Sequence, residues 1–571
     1  VSFSGRPHDQ EYNAHIENRH FSDICGTLPR GWEPDVVIFR DPFYKPLPAG
    51  IEDSPYPTVV VLCDWFGAAD YLPDNLRRFD FIFADKSSVQ LLKKAGFDNG
   101  DYWPAFGFHA SQFRLLPGHA RTTDLFFAGS MNINIQSERL SWLRRICRLD
   151  PEYKVFIAHN IFRDEYVNAL NQAKIVFNRS IKGEMNMRAF EACACGSLLF
   201  MEEENAEVRD FLIPGEECVL YNDGNLEQQL EYYLHNEPAL KKIAAAGHAK
   251  IQNYTYPHLF NQLLQLIEQK NITAGAGRKR SLSYAVNHEH RNFVQTALSL
   301  NGRTEKLLPD ASALLKNFSA SSLILNDCAV TLVSIAENMQ NNAADNTQIS
   351  SRLVLQALAI LKQAEHINHD HLTVVFNSAR ILFHAHRFSQ AGTLFQKILD
   401  THWPIAPLTV TGIVYPLHYK SPLRYLWSKA VLDSINNEQT WIQSRINTIK
   451  AFAAQCLATI MKESSPEKAY TLTCTADDYL KDQPFVLNQL SLYASHLSKP
   501  DTGDIFIRAM NANPFNTTLW KEYARFLKAG ANHGAASSFI LDCLLCLSRV
   551  QFSSEELVNE LKKLQIDGFH D

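Results

Sequence analysis

Residues 173–221 read AKIVFNRSIKGEMNMRAFEACACGSLLFMEEENAEVRDFLIPGEECVLY, and the spacing of their apolar residues switches repeatedly between strand and helix. A strand-sized run gives way to a polar loop, a helical stretch, a second strand, a helix and a third strand. That alternation points to a parallel α/β sheet. Gly196 ends the first helix before the buried run Ser197-Leu198-Leu199-Phe200 begins, while Arg188 and Glu191 stand near the start of that helix. Loop and helix start therefore lie at a strand's carboxyl end. Such sheets bind phosphorylated ligands there, because helix N-termini carry partial positive charge and unpaired N–H groups. The stretch is suited to holding a nucleotide.

The same alternation extends in both directions. Strands are expected at 35–39, 58–63, 79–84 and 102–106, then at 124–128, 154–158, 174–178, 197–201 and 217–221. They form two Rossmann-like domains, 1–117 and 118–270, with a cleft between them as the expected home of a ligand. Residues 271–283, NITAGAGRKRSLS, read as a small, basic linker. Beyond it, 284–571 shows only helical periodicity, so the fold class is α/β followed by all-α. Val375, Ala379, Leu382, Ala391, Phe395 and Ile398 carry a helix-pair spacing, as do Phe506, Ala509, Pro514, Trp520, Ala524, Leu527, Ala536 and Ile540. This resembles tetratricopeptide repeats, with a plain helical bundle as the alternative.

Composition narrows the function. A net charge of −6 over 571 residues argues against a general nucleic-acid binder. No apolar run reaches membrane-spanning length, and the first residues, VSFSGRPHDQ, lack the pattern of a secretion signal. The 11 cysteines show no disulfide-like rhythm, and Cys193, Cys195, Cys543 and Cys546 fall in apolar helical patterns. Buried thiols in a reducing, cytoplasmic compartment are the expectation. His8, His15 and His20 are irregularly spaced, so no metal site is expected.

Several residues are candidates for ligand contact. Gly129-Ser130 follows a strand, where glycine lets a phosphate approach the backbone and serine donates a hydrogen bond; Asn132 comes just after. Lys182 and Arg188 flank the loop and could neutralise a diphosphate, and Glu191 could accept from ribose hydroxyls. A surface ion pair between Arg188 and Glu191 is the plainer alternative. The run Glu202-Glu203-Glu204 reads as a solvated loop, with Glu207, at the start of the next helix, facing the ligand.

The run NRSIKGEMNMRAFEACACG, with EVRDFLIPGEECVLY after it, resembles the C-terminal domain of GT-B glycosyltransferases, and among them the spore-maturation CgeB-like group. The likeness continues through EYYLHNEP, IAAAGHAKI and Tyr254-Thr255-Tyr256, over residues 124–260. It implies a nucleotide-sugar-dependent, hexosyltransferase-type enzyme that works without a metal or other cofactor, its donor a UDP-, GDP- or dTDP-sugar. By that resemblance Glu191 holds the ribose, Arg188 and Lys182 the phosphates, and Gly129-Ser130 the diphosphate. Many retaining members carry two glutamates with seven residues between them. Here Gly183 stands at the first position and Glu184 one place late, so the stereochemical outcome stays open.

On the acceptor side, Asp64 and Asp41 follow strands and could serve as general base. Trp65 and Phe66 beside Asp64 offer an apolar platform for a sugar, and His109 is a further candidate base. The expected acceptor is a protein recruited by the helical repeats. The alternatives are transfer to a lipid-linked or small saccharide, and a non-catalytic scaffold.

Overall fold

The computed structural model describes residues 20–40, 47–48, 50–63, 65, 75–277, 288–299, 305–342, 347–417, 421–530, 532–551 and 555–566. The candidate bases Asp41 and Asp64 lie outside the described residues, as does Phe66. The chain divides into two compact units, 1–84 with 88–102 and 271–481, and 85–87 with 103–270 and 482–571.

The first unit holds four parallel strands, β1 (Val37–Arg40), β2 (Thr58–Val61), β3 (Phe81–Ala84) and β4 (Gly100–Tyr102), paired in that order. β2 is buried along its whole length, as the apolar run Val59-Val60-Val61 requires of a central parallel strand. Asp80 ties the sheet's entry edge together by accepting from the Thr58 backbone N–H at 2.8 Å and its hydroxyl at 3.0 Å. The fourth strand lies earlier than its apolar residues suggest. Gly100, Asp101 and Tyr102 pair with β3, while Pro104 has no N–H to extend a ladder. Trp65 is no open platform: it is fully buried and its indole N–H donates to Ser88 at 2.7 Å.

Helices complete this unit. Leu432, from the helix Pro422–Asp433, packs in one core with Val60, Leu62, Trp65 and Phe79. Gly277 lies so close to Asp80 that a Cβ there would stand 1.9 Å from the Asp80 carbonyl oxygen. The helices Leu372–His384 and Phe388–Asp400 pack as a pair, and Val375, Ala379, Ala391, Phe395 and Ile398 on them are all buried.

The second unit holds five parallel strands, β5 (Thr123–Ala128), β6 (Val155–Ala158), β7 (Ala173–Phe177), β8 (Leu198–Glu202) and β9 (Val219–Tyr221). Their order is β6-β5-β7-β8-β9. The chain runs outward from β5 to β6, then crosses back to β7 on the other side. The point where the order reverses lies between β5 and β7, and in open α/β sheets the carboxyl side of that point is where ligands bind.

This sheet is covered by sequence-distant helices. Trp520, Ala524, Ile540, Cys543, Leu547 and Leu561 share a core with Leu143, Ile146, Leu226 and Phe200. Arg549 is buried and donates to the carbonyls of Cys147 (3.0 Å), Leu149 (2.8 Å) and Tyr153 (3.2 Å). It thus sits against the negative end of the helix Ile133–Ile146, where a cation is favoured. Val550 bridges Ile157 of β6, and the Gln551 N–H donates to the Ile157 carbonyl at 2.9 Å. Arg144 and Arg148 both pair with Asp542. The described helices between 482 and 566 are therefore structural parts of this α/β unit.

Among the described residues no helix is long and apolar enough to cross a membrane. Nine of the eleven cysteines are buried, Cys25 and Cys474 being intermediate, and all are free thiols.

Candidate functional site

At the β5/β7 reversal, one guanidinium links the ends of both strands. Arg188 lies in the helix Met187–Ala194, which is capped at its N-terminus by the Asn186 side chain. Its Nε donates to the Ala128 carbonyl and its Nη1 to Asn178 Oδ1, each at 2.6 Å. The guanidinium also lies 4.4 Å from the centre of the Phe127 ring. Its Nη2 has no hydrogen-bond partner among the described residues. Burial lowers its pKa, which leaves an arginine charged nonetheless.

Gly129 makes this seat possible. A Cβ at position 129 would stand 2.4 Å from Arg188 Nη2 and 3.1 Å from the Phe127 ring. The requirement is space beside a cation. Arg139 reinforces the loops on either side, with Nη2 and Nε donating to the Arg179 carbonyl (2.7 and 3.1 Å) and Nη1 to that of Ser130 (3.2 Å). Burial, and then the charge of Arg188, push the Arg139 pKa down to about 9. Ser130 is exposed, its hydroxyl accepting from the Asn132 N–H at 3.3 Å, and Asn132 caps the helix Ile133–Ile146.

Glu191 lies one turn beyond Arg188. It is only 4% exposed, and its Oε2 accepts from the Tyr166 hydroxyl at 2.8 Å. Its Oε1 has no partner among the described residues. Burial raises its pKa to about 7, against the opposing Tyr166 hydrogen bond and the Arg188 charge. Arg188 and Glu191 do not form a surface ion pair, since each is turned to different partners in the interior.

The remaining candidates are placed differently. The Lys182 backbone N–H donates to Glu184 Oε2 at 2.8 Å, and that of Ile181 to Oε1 at 3.1 Å. The Glu184 carboxylate thus turns back onto its own loop, which passes through Gly183 at φ +82°. Glu207 is buried and accepts the backbone N–H groups of Met185 (2.8 Å) and Lys86 (3.0 Å), both in the second unit. Its pKa also rises to about 7, by burial. His109 is exposed and its ring lies 4.7 Å from that of Tyr256. Of the acidic run, Glu203 and Glu204 are solvated as expected, but Glu202 is not. It ends β8 buried, with Oε1 accepting from the Ser180 N–H and from Asn205 Nδ2, both at 3.0 Å.

The structure therefore gathers Gly129, Ser130, Asn132, Arg188 and Glu191 around one strand reversal. Residues the sequence did not single out complete it: Asn178 orients Arg188, Tyr166 holds Glu191, and Arg139 fixes the loops. Asn178 was within reach of sequence reasoning, because it directly follows a buried strand. The arrangement presents a cationic donor and a carboxylate acceptor one helical turn apart, fitting a ligand with an anionic group and a nearby hydroxyl.

The two raised carboxyls have a pH consequence. Glu191 and Glu207 hold their protons up to about 7, against an ordinary value of 4.5. Their contribution to stability is full below the unfolded value and is lost as pH rises through about 7. Relative to a Glu191→Gln, Glu207→Gln variant, the ligand-free wild type is expected to lose stability as pH rises across that window. Denaturant midpoints over a pH series check this, and parallel curves would contradict it.

Residues 121–265 match the model of a family described as Glycosyl transferase-like. No curated protein matches the chain. Among solved structures, it is similar to the crystal structure of the pneumococcal O-GlcNAc transferase GtfA in complex with UDP and GlcNAc. The identity is 11% over 38% of this chain and 54% of that one, with a TM-score of 0.29. The crystal structure of a GtfA/B complex is similar at 12% identity over the same shares, with a TM-score of 0.27. This chain thus spans about half the length of the solved chains it matches.

Proposed function

We propose that this protein is a glycosyltransferase that moves a sugar from a nucleotide-sugar donor, with the second unit as the donor-binding half of a GT-B enzyme. One observation carries the reading: at the β5/β7 reversal, Arg188 Nη2 and Glu191 Oε1, one helical turn apart, have no hydrogen-bond partner among the described residues. A nucleoside diphosphate offers an anionic diphosphate and ribose hydroxyls, the two groups those atoms suit. The family match over 121–265 covers both residues and supports the same class. The donor nucleoside is uridine, guanosine or thymidine, and the acceptor is a protein brought by tetratricopeptide-like helix pairs.

A non-catalytic scaffold is the second reading. The Glu184 and Glu207 carboxylates favour it, because both are engaged with backbone N–H groups of the protein. Release of nucleoside diphosphate from a panel of UDP-, GDP- and dTDP-sugars distinguishes the two. Turnover by the full chain is the expected result, and binding without any turnover would favour the scaffold.

Gly129→Ala tests the geometry. The added methyl would collide with the Arg188 guanidinium, for a strain of about 1–3 kcal/mol. Donor affinity is expected to fall roughly tenfold with the fold intact, as read by titration calorimetry and circular dichroism. Unchanged affinity would remove Gly129 from the site.

A further inference from the structure

We propose that Tyr166 is the positioning residue of this site, holding one oxygen of Glu191 so that the other meets a ligand hydroxyl. The inference rests on the nucleotide-sugar reading and adds a residue from a different element. Tyr166 lies on the helix Arg163–Gln172, which follows β6, whereas Glu191 lies on the helix that follows β7. Its hydroxyl donates to Glu191 Oε2 at 2.8 Å. Its ring is fixed by Phe113 and Phe126, whose centroids lie 5.9 and 6.3 Å away. A carboxylate on a three-bond side chain has several rotamers, and a hydrogen bond from a ring packed against Phe113 and Phe126 selects one of them.

The chemistry of the pair fixes the direction of that bond. Burial, and then the nearby Glu191 charge, raise the Tyr166 hydroxyl well above its ordinary value, so it keeps its proton and donates. The titratable and charged groups against Glu191 are Tyr166, Arg188 on its own helix, and Cys195 one turn farther on. Tyr166 and Arg188 both favour the ionised carboxylate against burial. Removing the phenol hydroxyl therefore has two effects: the rotamer is released, and the carboxyl takes up its proton at higher pH.

The test is a double-mutant cycle on the full chain, with donor binding measured between pH 5.5 and 8.5. The probe is whichever UDP-, GDP- or dTDP-sugar binds the wild type. Tyr166→Phe is expected to weaken binding about tenfold at pH 7, the loss of one hydrogen bond to a charged group. Its binding is also expected to fade at higher pH than that of the wild type. In a Glu191→Gln background the same Tyr166→Phe change is expected to have no further effect, because its influence passes through Glu191. Equal losses in both backgrounds would mean a merely structural ring and overturn the proposal, as would wild-type affinity with an unmoved pH midpoint. If the wild type binds none of the sugars, the donor reading fails and the inference falls with it. Carboxyl carbon NMR of Glu191 is expected to show a higher titration midpoint in Tyr166→Phe than in the wild type, and an unmoved midpoint would overturn the proposal.

Discussion

A chain ending at Lys481 is expected to lose the cooperative fold of its second unit. The deletion strips Trp520, Ala524, Ile540, Cys543, Cys546, Leu547, Val550 and Leu561 from the core that holds Leu143, Ile146 and Ile157. Each fully buried apolar side chain is worth about 1.5–3 kcal/mol, and a whole domain is stable by only about 5–15 kcal/mol. Losing several at once exceeds that margin. The deletion also removes Arg549, leaving the carbonyls of Cys147, Leu149 and Tyr153 without the cation that ties down the end of the helix Ile133–Ile146. A 1–481 protein should therefore aggregate, or show only the melting of the first unit by calorimetry. A separate, cooperative second transition with donor binding intact would contradict this. A truncation near Lys270 cannot ask whether the helices recruit an acceptor, because it also removes the cover of the α/β sheet.

The second large effect is at Arg188. Arg188→Ala removes the donor that joins Ala128 to Asn178 across the strand reversal, and with it an Nη2 that has no hydrogen-bond partner among the described residues. Truncating a buried, hydrogen-bonded charge at a binding site costs about 2–5 kcal/mol. Donor affinity should thus fall by about 100-fold or more. Arg188→Lys should recover little, since one ammonium cannot satisfy two fixed acceptors in the plane of a fork and still reach a ligand. Titration calorimetry with both variants checks this. Affinity restored by lysine would show that charge alone matters and that the fork geometry does not.

The sheet of the second unit was legible because buried parallel strands are short, continuous apolar runs. The expected 174–178 and 197–201 lie within a residue of Ala173–Phe177 and Leu198–Glu202. The same cue misplaced the strand expected at 102–106, where Trp103 and Phe106 are apolar because they are buried, not because they pair in a ladder. Trp65 shows the converse: an aromatic beside a strand end reads as a ligand platform, yet its indole is internal and bonded to Ser88. Charge runs mislead in a similar way, since Glu202 carries buried hydrogen bonds that Glu203 and Glu204 beside it do not share.

Arg188 and Glu191 could be picked out because a strand end, a loop and a helix start are local features. Their partners could not. Tyr166 is 25 residues from Glu191 in sequence, and Arg139 is 40 from Arg179. Nothing in local composition announces such pairings, which are set by the order of the strands. Which sheet a distant helix covers is hidden for the same reason. The apolar faces of Trp520, Ile540 and Leu547 mark helices, without naming the second sheet as their partner.

The most direct test of the account is equilibrium binding of UDP-, GDP- and dTDP-sugars to the full chain and to Arg188→Ala, with thermal shift as the first readout, since a ligand of the native state raises its melting point. The account predicts that at least one nucleotide sugar stabilises the wild type and that Arg188→Ala abolishes the shift while keeping its own cooperative melt. No shift with any of the sugars, or the same shift in both proteins, would contradict it.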